Sequence, residues 1–385
     1  MTVKLFDTNA YLSVFCATVL SCVPDGDRFA VRLDATAFFP EMGGQTADNG
    51  TLGAARVLDV REVEGDIVHY TDAPLAVGSR VEGNIEFSER FEKMQCHTAE
   101  HIVSGIIHAL YGYDNVGFHL GRESVTFDVS APLSREQLLV VERMANEAVY
   151  RNLPVTATYP DPSVLPTLTY RAKLDLTEGV RIVTIGDVDA CACCAPHVAH
   201  TGEIGHIRLY ELERHKGGVR IRLLAGRRAL AEDQRTFLEN YRVATSLSVK
   251  QHETADAVEK LKGELSHTAY LLRESEIRRL RERAESIEVT TENMVFDLSD
   301  APVDAVRAFS NTLTPRVRGV LALLYGEKGD KKIILSSDSV DLGLLLPTLR
   351  AALSLRGGGS PRMVQGSVLA STHEVTRYFA ENSFL

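Results

Sequence analysis

His97 and His101 stand four residues apart in a stretch whose apolar positions, Ile102, Ile106, Ile107 and Leu110, recur at helical spacing. On a helix, that separation puts both imidazoles on one face and within reach of one ion. Cys193 and His197 repeat the separation in a segment that reads as a loop before Thr201-Gly202-Glu203-Ile204-Gly205. Two nitrogens from a helix with a sulfur and a nitrogen from a loop form a donor set suited to tetrahedral zinc. Cys191 and Cys194 compete with Cys193 on spacing, and His200 is a further donor. His108 and His119 read as structural histidines or substrate contacts. The plainer reading of the same residues is a helix with two surface histidines and a loop with buried thiols.

The elements that must position these donors are legible in outline. The 385 residues are too many for one small core. A content of 44% hydrophobic and 24% charged residues is that of a soluble globular protein. No apolar run reaches the roughly 20 residues that a bilayer span needs, and Met1–Tyr11 does not read as a signal peptide, so residence in the cytoplasm is expected. Six cysteines, three of them within residues 191–194, are poorly spaced for a disulfide framework.

Residues 1–90 predict a small β-barrel-like domain. Leu12–Leu20 and Phe29–Leu33 flank the turn Pro24-Asp25-Gly26-Asp27, and Ala54–Val63 pairs with Asp66–Tyr70 around Glu64-Gly65. Residues 91–227 predict an α+β metal-binding domain. It has a helix from about Glu89 to Leu110 and a second from Ser134 to Arg151, opened by a Ser134/Gln137 capping box with Leu138, Val141 and Met144 on one face. Strands are expected at Ser124–Val129, Val155–Tyr159, Val180–Ile185 and Gly205–Tyr210. Residues 228–288 predict a long helical pair with a heptad-like seam at Val258, Leu261, Leu265 and Leu272. An antiparallel pair, a coiled-coil homodimer and packing on the chain's own domains are the alternatives. Residues 289–385 alternate strand and helix patterns as a small α/β domain: Val306–Leu313 and Leu342–Leu355 helical, Gly319–Tyr325 and Lys332–Ser336 strands. The fold class expected is thus α+β.

The net charge of −10 argues against phosphate contacts as a whole-chain property. Locally, however, Arg214, Lys216, Arg220, Arg222, Arg227 and Arg228 fall in a stretch without acidic residues, and Arg278, Arg279, Arg281 and Arg283 form a second cluster. The ordinary reading of such runs is a solvated face.

Several segments resemble one family in combination and in order. Phe38-Phe39-Pro40-Glu41-Met42-Gly43-Gly44-Gln45, followed by Asp48-Asn49-Gly50, is similar to the Gly-Gly-Gln segment of alanyl-tRNA editing proteins. Met94–His101 resembles their histidine-pair helix, Gly117–Gly121 with Phe127-Asp128 the strands that follow, and Cys193–His197 their cysteine-and-histidine segment. Arg356–Gly366 resembles the glycine-rich stretch of the DHH-associated domain that ends long alanyl-tRNA synthetases. With no room upstream for an aminoacylation domain, the resemblance is to the free-standing long form acting in trans. It implies one Zn2+ per chain on His97, His101, Cys193 and His197, and a metal-dependent deacylase for tRNA(Ala) mischarged with serine or glycine. It also implies a substrate pocket at Thr36, Gly43, Gly44 and Gln45. Contact with tRNA, or a homodimer, is implied through Gly357, Gly358 and Gly359, with the Arg214–Arg228 stretch as additional tRNA surface. The chain departs from the family where Cys193-Cys194-Ala195-Pro196-His197 replaces Cys-Gly-Gly-Thr-His and where Phe39 replaces a frequent tyrosine.

Taking serine while sparing alanine requires a buried polar partner for one hydroxyl, because alanine would leave that partner unpaired. Thr36 and Gln45 are the expected partners. Four protein ligands close a tetrahedral zinc, as in structural sites, so hydrolysis there requires a labile ligand or a fifth position. The rivals are a zinc-stabilised tRNA-binding module without catalysis, editing of a different mischarged tRNA, and a metallopeptidase. The last fits poorly, since Glu100 precedes His101 rather than following His97 as in His-Glu-x-x-His.

Overall fold

The computed structural model describes residues 1–121, 125–172, 179–327 and 331–384. They divide into two compact units, Met1–Glu239 and Asn240–Leu385. The mixed α+β class expected from sequence is the one the chain adopts. Among the described residues, no helix is long and apolar enough to cross a membrane.

The first unit opens with six antiparallel strands: β1 (Val14–Asp25), β2 (Arg28–Leu33), β3 (Gly50–Leu52), β4 (Ala55–Val63), β5 (Asp66–Thr71) and β6 (Arg80–Ile85). They follow one another in a closed ring, β1-β2-β5-β4-β3-β6. Alternation turns Ala17, Val19, Val31, Leu33, Val57, Val60 and Ile67 into its core.

His69 lies in this interior, fully buried. Its Nδ1 donates to Val31 O at 3.2 Å, so its Nε2 accepts the Thr36 hydroxyl at 2.8 Å. Burial pushes the imidazole down to about 4. An unfolded histidine titrates near 6.5, so the unfolded state takes up a proton first as pH falls. The associated stability is complete above that value and is lost between about pH 6.5 and 4, up to about 3 kcal/mol for a fully buried ring. Urea denaturation at pH 7, 5 and 4 is expected to show this decline, with a shallower slope for His69→Gln. An unchanged slope in the variant would remove His69 as its source.

A long helix follows, α1 (Phe87–Tyr111), closed by Gly112 in the left-handed region with its N–H on His108 O. It starts two residues before the position predicted from sequence. Ile102, Val103, Ile106 and Ile107 are buried, whereas Leu110, placed on the same face by spacing, is 45% exposed at the last turn. The helix packs on a four-stranded antiparallel sheet of β7 (Asn115–Leu120), β8 (Val125–Val129), β12 (Ile207–His215) and β13 (Gly218–Ala225), in the order β12-β13-β8-β7. Ser124, at the head of the expected strand, lies outside the described residues. Helix α2 (Arg135–Tyr150) has the full reciprocal Ser134/Gln137 capping box. It buries Leu138 and Val141 but leaves Met144 40% exposed, a correction to the predicted face. A second sheet joins β9 (Val155–Thr158), β10 (Ile182–Ile185) and β11 (Asp189–Ala192) antiparallel in sequence order. Helix α3 (Gly226–Leu247) follows β13.

In the second unit, helix α4 (Thr254–Glu285) buries Leu280 and Ala284 at its C-terminal end against Phe309 and Leu313. Val258, Leu261, Leu265 and Leu272 of the heptad-like seam are 38%, 52%, 69% and 65% exposed. A five-stranded sheet comprises β14 (Met294–Asp297), β15 (Leu321–Tyr325), β16 (Lys332–Ser336), β17 (Arg356–Ser360) and β18 (Met363–Ser367), ordered β14-β15-β16-β18-β17. Helices α5 (Val303–Leu313), α6 (Leu342–Leu353) and α7 (Thr372–Glu381) complete the unit.

The glycine run is extended backbone. Gly357, Gly358 and Gly359 lie in the exposed edge strand β17, paired antiparallel with β18. The glycines permit close approach: a Cβ on Gly357 would sit 2.1 Å from Gln365 O, and one on Gly359 2.0 Å from Met363 O.

Candidate metal centre and its cleft

Helix α1 carries His97 and His101 one turn apart, and the segment after β11 carries Cys193 and His197. In the folded chain the donor atoms of these four residues all lie within 4.8 Å of one another. Cys193 Sγ is 3.6 Å from His97 Nε2 and 3.3 Å from His197 Nε2. The three ring centroids are 4.8–5.4 Å apart.

The partners around the rings set their tautomers. Thr98 Oγ1 gives its only proton to Met94 O at 2.7 Å, so it accepts from His197 Nδ1 at 3.0 Å and from Val198 N–H at 3.3 Å. His97 Nδ1 donates to Gln45 Oε1 at 2.9 Å. His101 Nδ1 faces Asp189 Oδ2 at 3.3 Å, and Arg171 grips Asp189 with Nε and Nη2 at 2.7 and 2.9 Å. Each ring thus keeps Nε2 as its free lone pair. Outer partners of this kind orient metal-binding imidazoles and fix their tautomers.

The electrostatics agree. Burial acts to raise the Cys193 thiol, but His97, His197 and His101 outweigh it and hold the thiol well below its ordinary value. Burial pushes His197 down to about 3, keeping it neutral. Burial acts to lower His101, but Asp189, Cys191 and Cys193 outweigh it and hold the ring well above its ordinary value, so a cation binding there displaces a proton. The residues therefore fit a metal ion.

The other donors offered by spacing are placed differently. Cys194 packs with Phe6, Phe39 and Ala195, and burial raises its thiol to about 11. His200 is exposed beside Glu203. Cys191 shares a second grouping with His101 and Asp189. His108 pairs with Asp114 at the surface, and His119 is exposed.

The four donors lie beside a cleft of about 650 Å3 lined by Gly43, Glu100, Phe118, Arg171 and Arg181 among others, a volume typical of small-ligand sites. Arg181, 7% exposed, donates from Nη1 to Cys193 O at 3.0 Å and to Ala195 O at 2.9 Å, holding the loop in place. Gly44 has φ +82°, and a Cβ there would meet Phe118 O at 2.4 Å. Only glycine lets this turn lie against β7 while Gln45 reaches His97.

Thr36 is buried with its hydroxyl engaged twice, donating to His69 and accepting Phe38 N–H at 3.1 Å, and it does not line the cleft. Gln45 is likewise buried, its Nε2 finds no hydrogen-bond partner among the described residues, and of the predicted Gly43-Gly44-Gln45 only Gly43 lines the cleft.

Spacing had not singled out Thr98, Arg171, Arg181 or Asp189. A period-two signal was present: Asp189, Cys191 and Cys193 alternate along one strand and its extension, which puts them on one face.

With this geometry in hand, sequence similarity becomes specific. The family model for the threonyl and alanyl tRNA synthetase second additional domain matches residues 180–222, the stretch holding Arg181, Asp189, Cys193 and His197. An alanine–tRNA ligase of Natronomonas pharaonis is 32% identical over 89% of this chain and 39% of its own length. Alanyl-tRNA editing protein Aarsd1 of Rattus norvegicus is 26% identical over 94% of this chain and 93% of its own, and that of Danio rerio is 26% identical over 98% and 97%.

The chain belongs to the alanyl-tRNA editing protein family.

It spans well under half of the Natronomonas ligase and nearly all of the two Aarsd1 proteins. The basic stretch that the family resemblance offered as tRNA surface is partly neutralised. Arg220 forms a two-pronged pair with Asp128 at 2.7 and 2.8 Å, Arg222 faces Glu232 at 3.5 Å, and Arg228 reaches Glu92 at 3.4 Å and Gly121 O at 2.8 Å. Arg214, Lys216 and Arg227 are exposed, and no ion pair holds them among the described residues.

Proposed function

We propose that this chain hydrolyses the ester of mischarged tRNA(Ala) in trans in the cytoplasm, acting chiefly on seryl-tRNA(Ala) and also on glycyl-tRNA(Ala), with one Zn2+ held by His97, His101, Cys193 and His197. The observation that carries the reading is the convergence of three imidazoles and a thiol beside a cleft large enough for an esterified ribose terminus. Its relatives named alanyl-tRNA editing proteins support the substrate.

Bound zinc would polarise the ester carbonyl or lower the pKa of a bound water. The protein's own part is positioning. Gln45, Thr98 and Asp189 hold the rings, and Arg181 holds the carbonyls of the Cys193 loop. Phe118 covers His97 with ring centroids 4.7 Å apart, limiting water on that side. Of the two residues considered for the serine hydroxyl, Gln45 is favoured, because its buried Nε2 is an unused donor whereas the Thr36 hydroxyl is already satisfied. A hydroxyl accepting from that donor repays its desolvation, and alanine does not.

One rival, a zinc-stabilised tRNA-binding module, is favoured by the four-ligand closure. Deacylation assays on seryl-, glycyl- and alanyl-tRNA(Ala) separate the two. The expected result is hydrolysis of seryl-tRNA(Ala) about 100-fold faster than of alanyl-tRNA(Ala). Equal rates would overturn the selectivity. No hydrolysis by zinc-loaded protein that still binds tRNA would favour the module.

A further inference from the structure

Glu100 lies on α1, three residues after His97 and so on a neighbouring part of the same helix face. It is 4% exposed yet lines the cleft. Its Oε1 accepts from Ser104 Oγ and Asn115 Nδ2, both neutral donors. Oε2 accepts no hydrogen bond from any described residue, and no described Lys, Arg or His forms an ion pair with Glu100. Among the described residues, the two arginines of the cleft wall are bonded elsewhere: Arg171 grips Asp189, feeling the Glu100 charge without forming an ion pair with it, and Arg181 holds Cys193 O and Ala195 O. The other cleft-lining carboxylate, Asp114, is mostly exposed and paired with His108. A buried carboxylate that no cation bonds directly is costly, and a ligand cation placed against it recovers the cost.

We propose that Glu100 anchors the α-ammonium group of the esterified amino acid, so that the cleft takes aminoacyl esters with a free amine and rejects N-blocked ones. This rests on the reading of the site as an aminoacyl-ester cleft. Every aminoacyl ester carries its ammonium one carbon from the carbonyl. With the carbonyl at the His97–Cys193 cluster, that nitrogen falls within about one helical turn along the face, where Oε2 is open. Ser104 and Asn115 hold the carboxylate in orientation through its other oxygen. Serine and glycine share the ammonium, so Glu100 selects the class of ester, while the side-chain pocket selects among amino acids.

The test uses two stable amide analogues, 3′-seryl-amino-3′-deoxyadenosine and its N-acetyl form, titrated calorimetrically into the zinc-loaded full chain. Wild type is expected to bind the free amine about 100-fold more tightly than the acetylated analogue. Glu100→Gln keeps an oxygen for Ser104 and Asn115. It is expected to lose most of that factor while its affinity for the acetylated analogue changes less than about threefold. Equal wild-type affinities for the two analogues would overturn the proposal, and so would a variant that weakens both alike. The wild-type comparison decides the matter even if the variant does not fold. Deacylation of seryl-tRNA(Ala) by the same preparation reports separately on the hydrolase reading, so failure of one is distinguishable from failure of the other.

Discussion

Cys193→Ala is expected to leave the fold intact, lower zinc affinity by more than about 100-fold, and cut deacylation of seryl-tRNA(Ala) by about 1,000-fold or more. The fold should survive because the loop is held through its backbone. Cys193 N donates to Arg181 O at 2.9 Å, and the Arg181 guanidinium takes Cys193 O and Ala195 O, none of which the substitution removes. The affinity should collapse because Cys193 supplies the one thiolate donor beside three imidazoles. Metal content by atomic spectroscopy, circular dichroism and the deacylation rate together check the prediction. A metal-free variant with full activity would sink the zinc mechanism.

Arg90→Ala is expected to cost about 3–5 kcal/mol of stability to urea, the range for removing one partner of a buried ion pair. The side chains of Arg90 and Asp48 are 0% and 1% exposed. Arg90 donates through Nε to Asp48 Oδ1 at 2.9 Å, and also to Ala10 O at 3.0 Å and Ala37 O at 2.7 Å, while Asp48 accepts Phe39 N–H at 2.6 Å. One guanidinium therefore ties the first turns of α1 to the chain near residue 10 and to the segment leading into Gly43-Gly44-Gln45. Alanine would leave a carboxylate and two carbonyls buried without their donor. Restoring neutrality with Asp48→Asn in the same chain is expected to recover part of the loss, because the two sites share one network. A single-variant loss below about 1 kcal/mol would show that water reaches the site and that the pair is not the clamp described here.

Local patterns in the chain already specified local structure. The Ser134/Gln137 box caps α2 because both halves of the motif lie within one turn. The i, i+4 spacing of His97 and His101 put two imidazoles on one helix face, and Cys193 with His197 supplied matching donor types. What required tertiary structure was every partner remote in sequence. Thr98 and His197 are 99 residues apart, His101 and Asp189 are 88 apart, and Arg90 and Asp48 are 42 apart, so no periodicity encodes their meeting. Among the three cysteines, space separates Cys194, which turns toward Phe6 and Phe39, from Cys191 and Cys193, which two-residue alternation puts on one face beside His101. The glycine run of residues 357–359 carries no strand signal, because glycine disfavours strands. It forms an edge strand whose facing backbone comes too close for a Cβ at Gly357 and Gly359. Composition and spacing thus determined which chemistry this chain could perform. Folding decided which atoms meet to perform it, because hydrogen-bond and charge partners are selected by distance in space.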